Sequence, residues 1–322
     1  MPYIESSKYK GPKVLFNGHM QTVIPAGLRK VKNAPELKRE RISTPDDDFL
    51  DLDWAKNNND RLVIISHGLE GNSTRPYMLG MIKAFYDSRY DVLAWNFRGC
   101  SEEINRAARL YHSGATDDLA TVVEHAITKG YAKILLVGFS LGGNLTLKYL
   151  GEDATPKFSA VKGGIVFSVP LDLRACSVQI NRRENYIYSA RFTRSLKQKV
   201  LSKAAQYPEL LDTTKLPQMK TVYDYDEHYT APFHGFENAL DYYEKCSSKY
   251  FLSGIGVPTL VVNAASDPFL AGDCFNPALF TDLDEVYFEL PLEGGHCGFA
   301  SYRNGGMFWS EIRALEFASE IL

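Results

Sequence analysis

The feature that most constrains this 322-residue chain is a series of short apolar runs, each stopped by glycine, proline, histidine or a polar loop. They are Leu62–Ile65, Val92–Trp95, Ile134–Val137, Gly164–Phe167, Thr259–Val262 and Val286–Leu290. Runs of this length, rich in β-branched residues and bounded by turn formers, read as strands buried on both faces. Helix-like stretches lie between or after them: Pro76 to Ser88, Thr116 to Lys129, Leu141 to Leu150 and Met307 to Leu322. Strands alternating with crossover helices predict an α/β fold, a mostly parallel doubly wound sheet covered on both faces. Ligands then bind beyond the carboxyl ends of the strands, so the loops after the strands are the places to look for chemistry.

One stretch breaks the alternation. Residues 174–254 hold no run of buried-strand type and read as mainly helical, which divides the chain into a core over 1–173, an inserted cap over 174–254 and the remainder of the core over 255–322. The cap is rich in rings, among them Tyr186, Tyr188, Phe192, Tyr223, Tyr225, Tyr229, Phe233, Phe236, Tyr242 and Tyr243. Rings in such a segment either line a pocket or fasten the cap to the core, and for any single ring fastening is the plainer expectation. The Asn57 to Asp60 run suits a turn, because Asn and Asp tolerate left-handed backbone.

Gly138-Phe139-Ser140-Leu141-Gly142 is a G-x-S-x-G sequence set between an expected strand and an expected helix, the context in which that motif makes a nucleophile elbow. Small residues on either side let the strand turn sharply and lift the Ser140 hydroxyl above the sheet edge. A serine hydroxyl is a weak nucleophile near neutral pH and needs a general base held by a carboxylate. In a fold of this kind the order along the chain is serine, acid, histidine. His296, in the glycine-rich Glu293-Gly294-Gly295-His296-Cys297-Gly298 segment, is the base candidate. Asp267 follows the Thr259–Val262 strand and is the first choice for the acid, with Asp172 as the rival position; Asp273, Asp282 and Asp284 read as solvated loop residues. The oxyanion formed on attack needs backbone N–H donors. Leu141 supplies one, and Leu69, in the His67-Gly68-Leu69-Glu70-Gly71 turn, is the candidate for the second, with His67 shaping that turn. Cys297 reads as a small packed hydrophobe, and Arg98 as a turn-stabilising arginine before a substrate contact.

Several classes are disfavoured. A net charge of -3 is too small for a field that would steer nucleic acid. No apolar stretch reaches membrane-spanning length, and the leading residues, with Pro2, Glu5, Lys8 and Lys10, lack a signal-peptide core. The expectation is a cytoplasmic protein without stable membrane insertion. Five cysteines at irregular spacings form neither a disulfide framework nor a CxxC pair, and there is no HExxH, so no metal is expected. Neither G-x-G-x-x-G after the first strand nor a phosphate-loop lysine is present, so no cofactor is expected. The sequence carries no signal of an oligomeric state.

Beyond the elbow, the chain resembles the α/β-hydrolase superfamily and, within it, the YheT-like branch (AB hydrolase family four). The likeness rests on Asn17-Gly18-His19-Met20-Gln21-Thr22, His67 to Gly71, Asn96-Phe97-Arg98-Gly99-Cys100-Ser101, Tyr111-His112-Ser113-Gly114, Phe233-His234-Gly235-Phe236 with Tyr242-Tyr243, Ala265 to Phe269, and Gly294 to Phe299. The resemblance implies an eight-stranded core, a triad of Ser140, Asp267 and His296, and hydrolysis of short- to medium-chain carboxylic esters. It also implies an alternative, transfer of acyl groups from acyl-CoA to alcohols. A third possibility is a catalytically silent scaffold that binds a ligand. The residues offer no chemical account of the Asn17 to Thr22 motif.

Overall fold

The computed structural model describes residues 3–4, 6–152, 159–301 and 306–322; Pro2 and Glu5 lie outside that set. Its centre is one sheet built from β1 (Tyr3–Ile4), β2 (Lys38–Ser43), β3 (Phe49–Ala55), β4 (Arg61–Ser66), β5 (Asp91–Asn96), β6 (Lys133–Phe139), β7 (Val161–Phe167), β8 (Thr259–Val262) and β9 (Val286–Glu289). The spatial order is β1-β9-β8-β7-β6-β4-β5-β3-β2. The β2–β3 and β3–β5 pairs are antiparallel, and the other pairs are parallel. Eight strands form the body of the sheet, with the two-residue β1 added at one edge.

The six expected strands are all present. Sequence patterning missed the two-residue β1 and the pair β2 and β3, which carries charge inside the pairing: register sets Arg41 opposite Asp51 and Arg39 opposite Asp53, and each arginine binds its partner at 2.7–2.8 Å. Cross-strand ion pairs let carboxylates occupy a strand that is buried from end to end.

Side chains alternate between the two faces of each central strand, which is why these strands are apolar throughout. Val63, Ile65, Val92, Val137 and Phe139 pack one face against Met81, Ile82 and Phe85 of α2 (Pro76–Asp87) and Phe317 of α10 (Trp309–Ile321). Leu62, Ile64, Leu93, Trp95 and Leu136 pack the other against Val122 and Val123 of α3 (Thr116–Thr128) and Leu145 of α4 (Leu141–Gly151). Each such side chain contributes roughly 1.5–3 kcal/mol by burial. Helix α1 (Gly18–Leu28) precedes the sheet's main strands and is capped by Asn17, whose side chain accepts the Met20 amide.

Between β7 and β8 the chain forms α5 (Leu173–Ile180), α6 (Tyr186–Gln206), α7 (Val222–Tyr225), one π-helical turn (Asp226–Thr230), α8 (Ala231–Phe233) and α9 (Ala239–Cys246), with no strand among the described residues. Leu196 and Val200 of α6 pack on Leu211, Met219, Tyr225 and Tyr229, a cluster separate from the sheet's cores. No described helix is long and apolar enough to cross a membrane.

Candidate active site

Ser140 sits where β6 turns into α4, with φ +52°. A non-glycine residue reaches that conformation only where its surroundings impose it. The imposition is steric: a Cβ at Gly138 would lie 2.6 Å from the Gly142 carbonyl oxygen, and one at Gly142 would lie 2.4 Å from the His67 carbonyl oxygen. Neither position accepts a side chain, so the strand meets the helix closely enough to force the turn at Ser140.

His296 lies in the loop after β9, with its Nε2 2.9 Å from Ser140 Oγ and its Nδ1 2.8 Å from Asp267 Oδ2. Asp267 follows β8, its side chain is fully buried, and its Oδ1 accepts the Phe269 amide at 2.9 Å. Burial disfavours an imidazolium, but the Asp267 carboxylate and the neighbouring Cys297 sulfur outweigh it and raise the pKa of His296 above its ordinary value. Such an array can pass the hydroxyl proton to the ring while the carboxylate keeps the ring oriented. Asp172 is elsewhere: it caps α5 through the Ala175 amide and pairs with Lys249 at 2.7 Å.

The Asn17 to Thr22 motif, unexplained by sequence, holds both loops. Gln21 Oε1 accepts from the Ser266 hydroxyl at 2.7 Å and from the Gly294 amide at 2.9 Å, and Thr22 Oγ1 accepts the His296 amide at 2.9 Å. Gly18 is there because a Cβ would fall 1.8 Å from the Ser266 carbonyl oxygen. The sequence carried no sign of this role, because the loop partners of the buried Gln21 and Thr22 lie more than two hundred residues away.

Leu141 is the first residue of α4, and Leu69 stands in the loop after β4; both line the cavity beside Ser140, and neither amide donates a hydrogen bond among the described residues. The turn carrying Leu69 is fixed on every side. Gly68 N–H donates to Tyr77 OH at 2.9 Å. His67 is fully buried, with Nδ1 2.7 Å from the Gly68 carbonyl and Nε2 accepting the Phe97 amide at 3.1 Å, and burial pushes its pKa down to about 3. The ring shapes the turn, as expected from the sequence. Glu70, at φ +54°, receives Lys199 at 2.7 Å, the Tyr111 hydroxyl at 2.7 Å and the Ser195 hydroxyl. Burial opposes its charge, but Lys199 and the hydroxyls hold the carboxyl below its usual range. Lys199 and Ser195 belong to α6, so the helical segment reaches down and grips the turn; sequence reasoning did not single out either.

These groups open into a cavity of about 450 Å³. Leu173, Ile180, Phe192 and Phe269 give it apolar walls, and Phe269 tilts against the His296 ring at 4.3 Å. Of the rings in the helical segment, Tyr188, Phe192, Tyr225, Tyr242 and Tyr243 line the cavity, whereas Tyr186 is exposed and Tyr229 packs within the segment. Arg98 is buried among Asp46, Asp48 and Asp118 and lies outside the cavity. Cys297 packs against the core beneath His296. Among the described residues no three His, Cys, Asp or Glu side chains are grouped to hold a metal.

A family model described as the alpha/beta hydrolase fold matches residues 61–300. YheT of Escherichia coli, itself named only as a candidate esterase, is 34% identical over 92% of this chain and 88% of its own length. The chain belongs to the α/β-hydrolase superfamily, in its YheT-like branch. Other members of the superfamily are similar over much of their length: phospholipase ABHD3 of Mus musculus is 30% identical over 82% of this chain and 66% of itself, and a monoacylglycerol lipase of Saccharomyces cerevisiae is 30% identical over 87% and 63%. The solved esterase Pf2001 of Pyrococcus furiosus shares the fold, with a TM-score of 0.58 at 18% identity, covering 91% of this chain and 98% of that one. The relatives are esterase- and lipase-type proteins, and this α/β hydrolase is a hydrolase of their broad class.

Proposed function

We propose that this α/β hydrolase is a serine esterase acting on small-molecule carboxylic esters of short- to medium-chain acyl groups. The observation that carries the reading is the unbroken hydrogen-bond path from Ser140 Oγ through both ring nitrogens of His296 to Asp267, at the wall of a largely apolar cavity. Residues 174–254 act as a cap that closes over the acyl chain.

In the acylation half, Ser140 Oγ attacks the ester carbonyl as His296 Nε2 takes its proton. Asp267 orients the ring and steadies the imidazolium without taking the proton itself. The tetrahedral oxyanion is met by the Leu69 and Leu141 amides, each worth roughly 2.7–4 kcal/mol in the transition state. Collapse expels the alcohol, which leaves with the proton from His296. Water then enters, gives a proton to His296, attacks the acyl-enzyme, and the carboxylic acid departs as Ser140 recovers its hydrogen.

A fluorophosphonate probe is expected to label Ser140, and Ser140→Ala is expected to lose at least about a thousandfold in turnover of a p-nitrophenyl ester series. A loss below about tenfold removes the proposal.

A further inference from the structure

Buried carboxylates in this fold almost all face a base. Asp48 and Asp118 meet Arg98 at 2.7 and 2.6 Å, Asp51 meets Arg41 at 2.7 Å, Asp53 meets Arg39 at 2.8 Å and Glu289 meets Arg313 at 2.8 Å. Glu311 is paired with Arg29, Glu70 with Lys199 and Asp267 with His296. Two buried acids have no Lys, Arg or His partner among the described residues: Asp91 and Asp226. Asp91 opens β5, at the end of the parallel strands opposite to the catalytic loops, and takes the Asn57 and Asn59 amides and the Tyr131 hydroxyl. Asp226 lines the same cavity as Ser140.

The local backbone places it there. After α7 the chain widens into a π-helical turn that begins at Asp226, a rare geometry that is frequent at functional sites. Within the turn Thr230 Oγ1 donates to Asp226 Oδ1 at 2.7 Å, and the Tyr243 hydroxyl donates to Oδ2 at 2.7 Å while lying 3.0 Å from Ser177 Oγ. Hydroxyls stabilise a carboxylate without cancelling its charge, and each oxygen retains a further lone pair. Burial pushes the Asp226 carboxyl up to about 6, so above neutrality it is an ionised group in a buried wall with no counter-charge among the described residues. Tyr225, Tyr242 and Tyr243 line the cavity around it. A carboxylate beside several aromatic rings is the chemistry that receives an alkylated ammonium, by charge and by cation–π attraction together.

We propose that Asp226, with the rings of Tyr225, Tyr242 and Tyr243, forms a cation subsite, and that the natural esters carry an alkylammonium group on either the acyl or the alcohol side. That the ligands are esters rests on the function proposed above; the subsite does not.

Calorimetry with benzyltrimethylammonium at pH 8 tests the subsite without turnover. The wild-type protein is expected to bind it, and Asp226→Asn to bind at least about tenfold more weakly. Absence of binding, or equal binding by the variant, overturns the subsite. Two ester pairs then identify the side: one with trimethylammonium at the end of the alcohol against its neutral tert-butyl isostere, one with the same exchange at the end of the acyl chain. One pair is expected to favour the cationic member by about tenfold or more in kcat/KM; two ratios near one overturn the claim about substrates. If none of the four esters turns over while the cation still binds, the esterase reading fails and the subsite stands.

A wild-type pH series covers the case in which the variant does not fold. The ionisable groups around Asp226 are Tyr225 on α7 and Tyr242, Tyr243 and Cys246 on α9, with His112 beside Tyr242 and His234 beside His112; burial holds all of them neutral near pH 6. The cationic-to-neutral ratio, in which the titration of His296 cancels, is expected to be full above pH 7 and to fall as pH drops through about 6. A flat ratio counts against Asp226.

Discussion

Thr22 in α1 accepts the backbone amide hydrogen of His296 at 2.9 Å across 274 positions of chain. Its own hydroxyl hydrogen goes to the Gly18 carbonyl at 2.6 Å, which aims the free lone pair at the histidine loop. Thr22→Val keeps the shape and removes the acceptor, leaving a partly buried amide unpaired at a cost of about 1–3 kcal/mol. Because that amide belongs to the proposed base, the expected result is a drop in kcat of roughly ten- to a hundredfold with KM little changed and the protein still folded. Steady-state kinetics with a thermal melt decide it, and an unchanged kcat would show that the loop holds itself.

The pH profile carries a second test. Asp267 raises the pKa of His296 above the ordinary imidazole value near 6.5, and only the neutral ring can accept the Ser140 proton. The acid limb of kcat/KM on a neutral ester is therefore expected to have its midpoint above 6.5. In Asp267→Asn the limb should move to lower pH while the plateau falls by about 10⁴. A midpoint unmoved by that substitution would separate the observed limb from the pair.

Much of this was legible in local pattern. The elbow needs only residues 138–142, and its glycines announce the steric closeness that forces Ser140 to positive φ. Central strands declare themselves because both faces are apolar. What stayed illegible depends on contacts between distant segments. Strand β3 reads as polar until register sets Arg39 and Arg41 against its acids. Gln21 and Thr22 have no visible purpose until the loops after β8 and β9 close on them. The same holds for Glu70, since the two α6 side chains that hold it are far along the chain and ordinary in a helix.

That grip on Glu70 has an energetic consequence. Both members of the Glu70–Lys199 pair are largely buried, with side chains 8% and 13% exposed. Lys199→Met leaves the carboxylate in place without its cation and is expected to cost about 3–5 kcal/mol in urea unfolding. Adding Glu70→Gln should recover part of that loss, because the stranded charge is gone. Recovery of stability without recovery of kcat would mark Glu70 as the group that sets the Leu69 amide. Two single losses that simply add would mean that the pair is not coupled.

Arg98 supplies a test of opposite pH sign. Its guanidinium is 1% exposed and binds Asp46, Asp48 and Asp118, joining the β2–β3 turn, the loop after β5 and α3. Arg98→Met preserves most of the packing but leaves the buried Asp48 carboxylate without its cation and Asp118 with only Arg109, at 3.6 Å, again at about 3–5 kcal/mol near neutral pH. Burial already raises the Asp118 carboxyl even with the arginine beside it, so without that cation its folded pKa rises further above the unfolded one. A group with a raised folded pKa destabilises most when ionised, and the penalty shrinks as protonation relieves it. The stability gap between wild type and variant should therefore be widest above pH 7 and narrow toward pH 5. Urea unfolding at pH 5, 6, 7 and 8 measures it, and a gap that widens on acidification would mean that the cost comes from lost packing and not from the stranded charges.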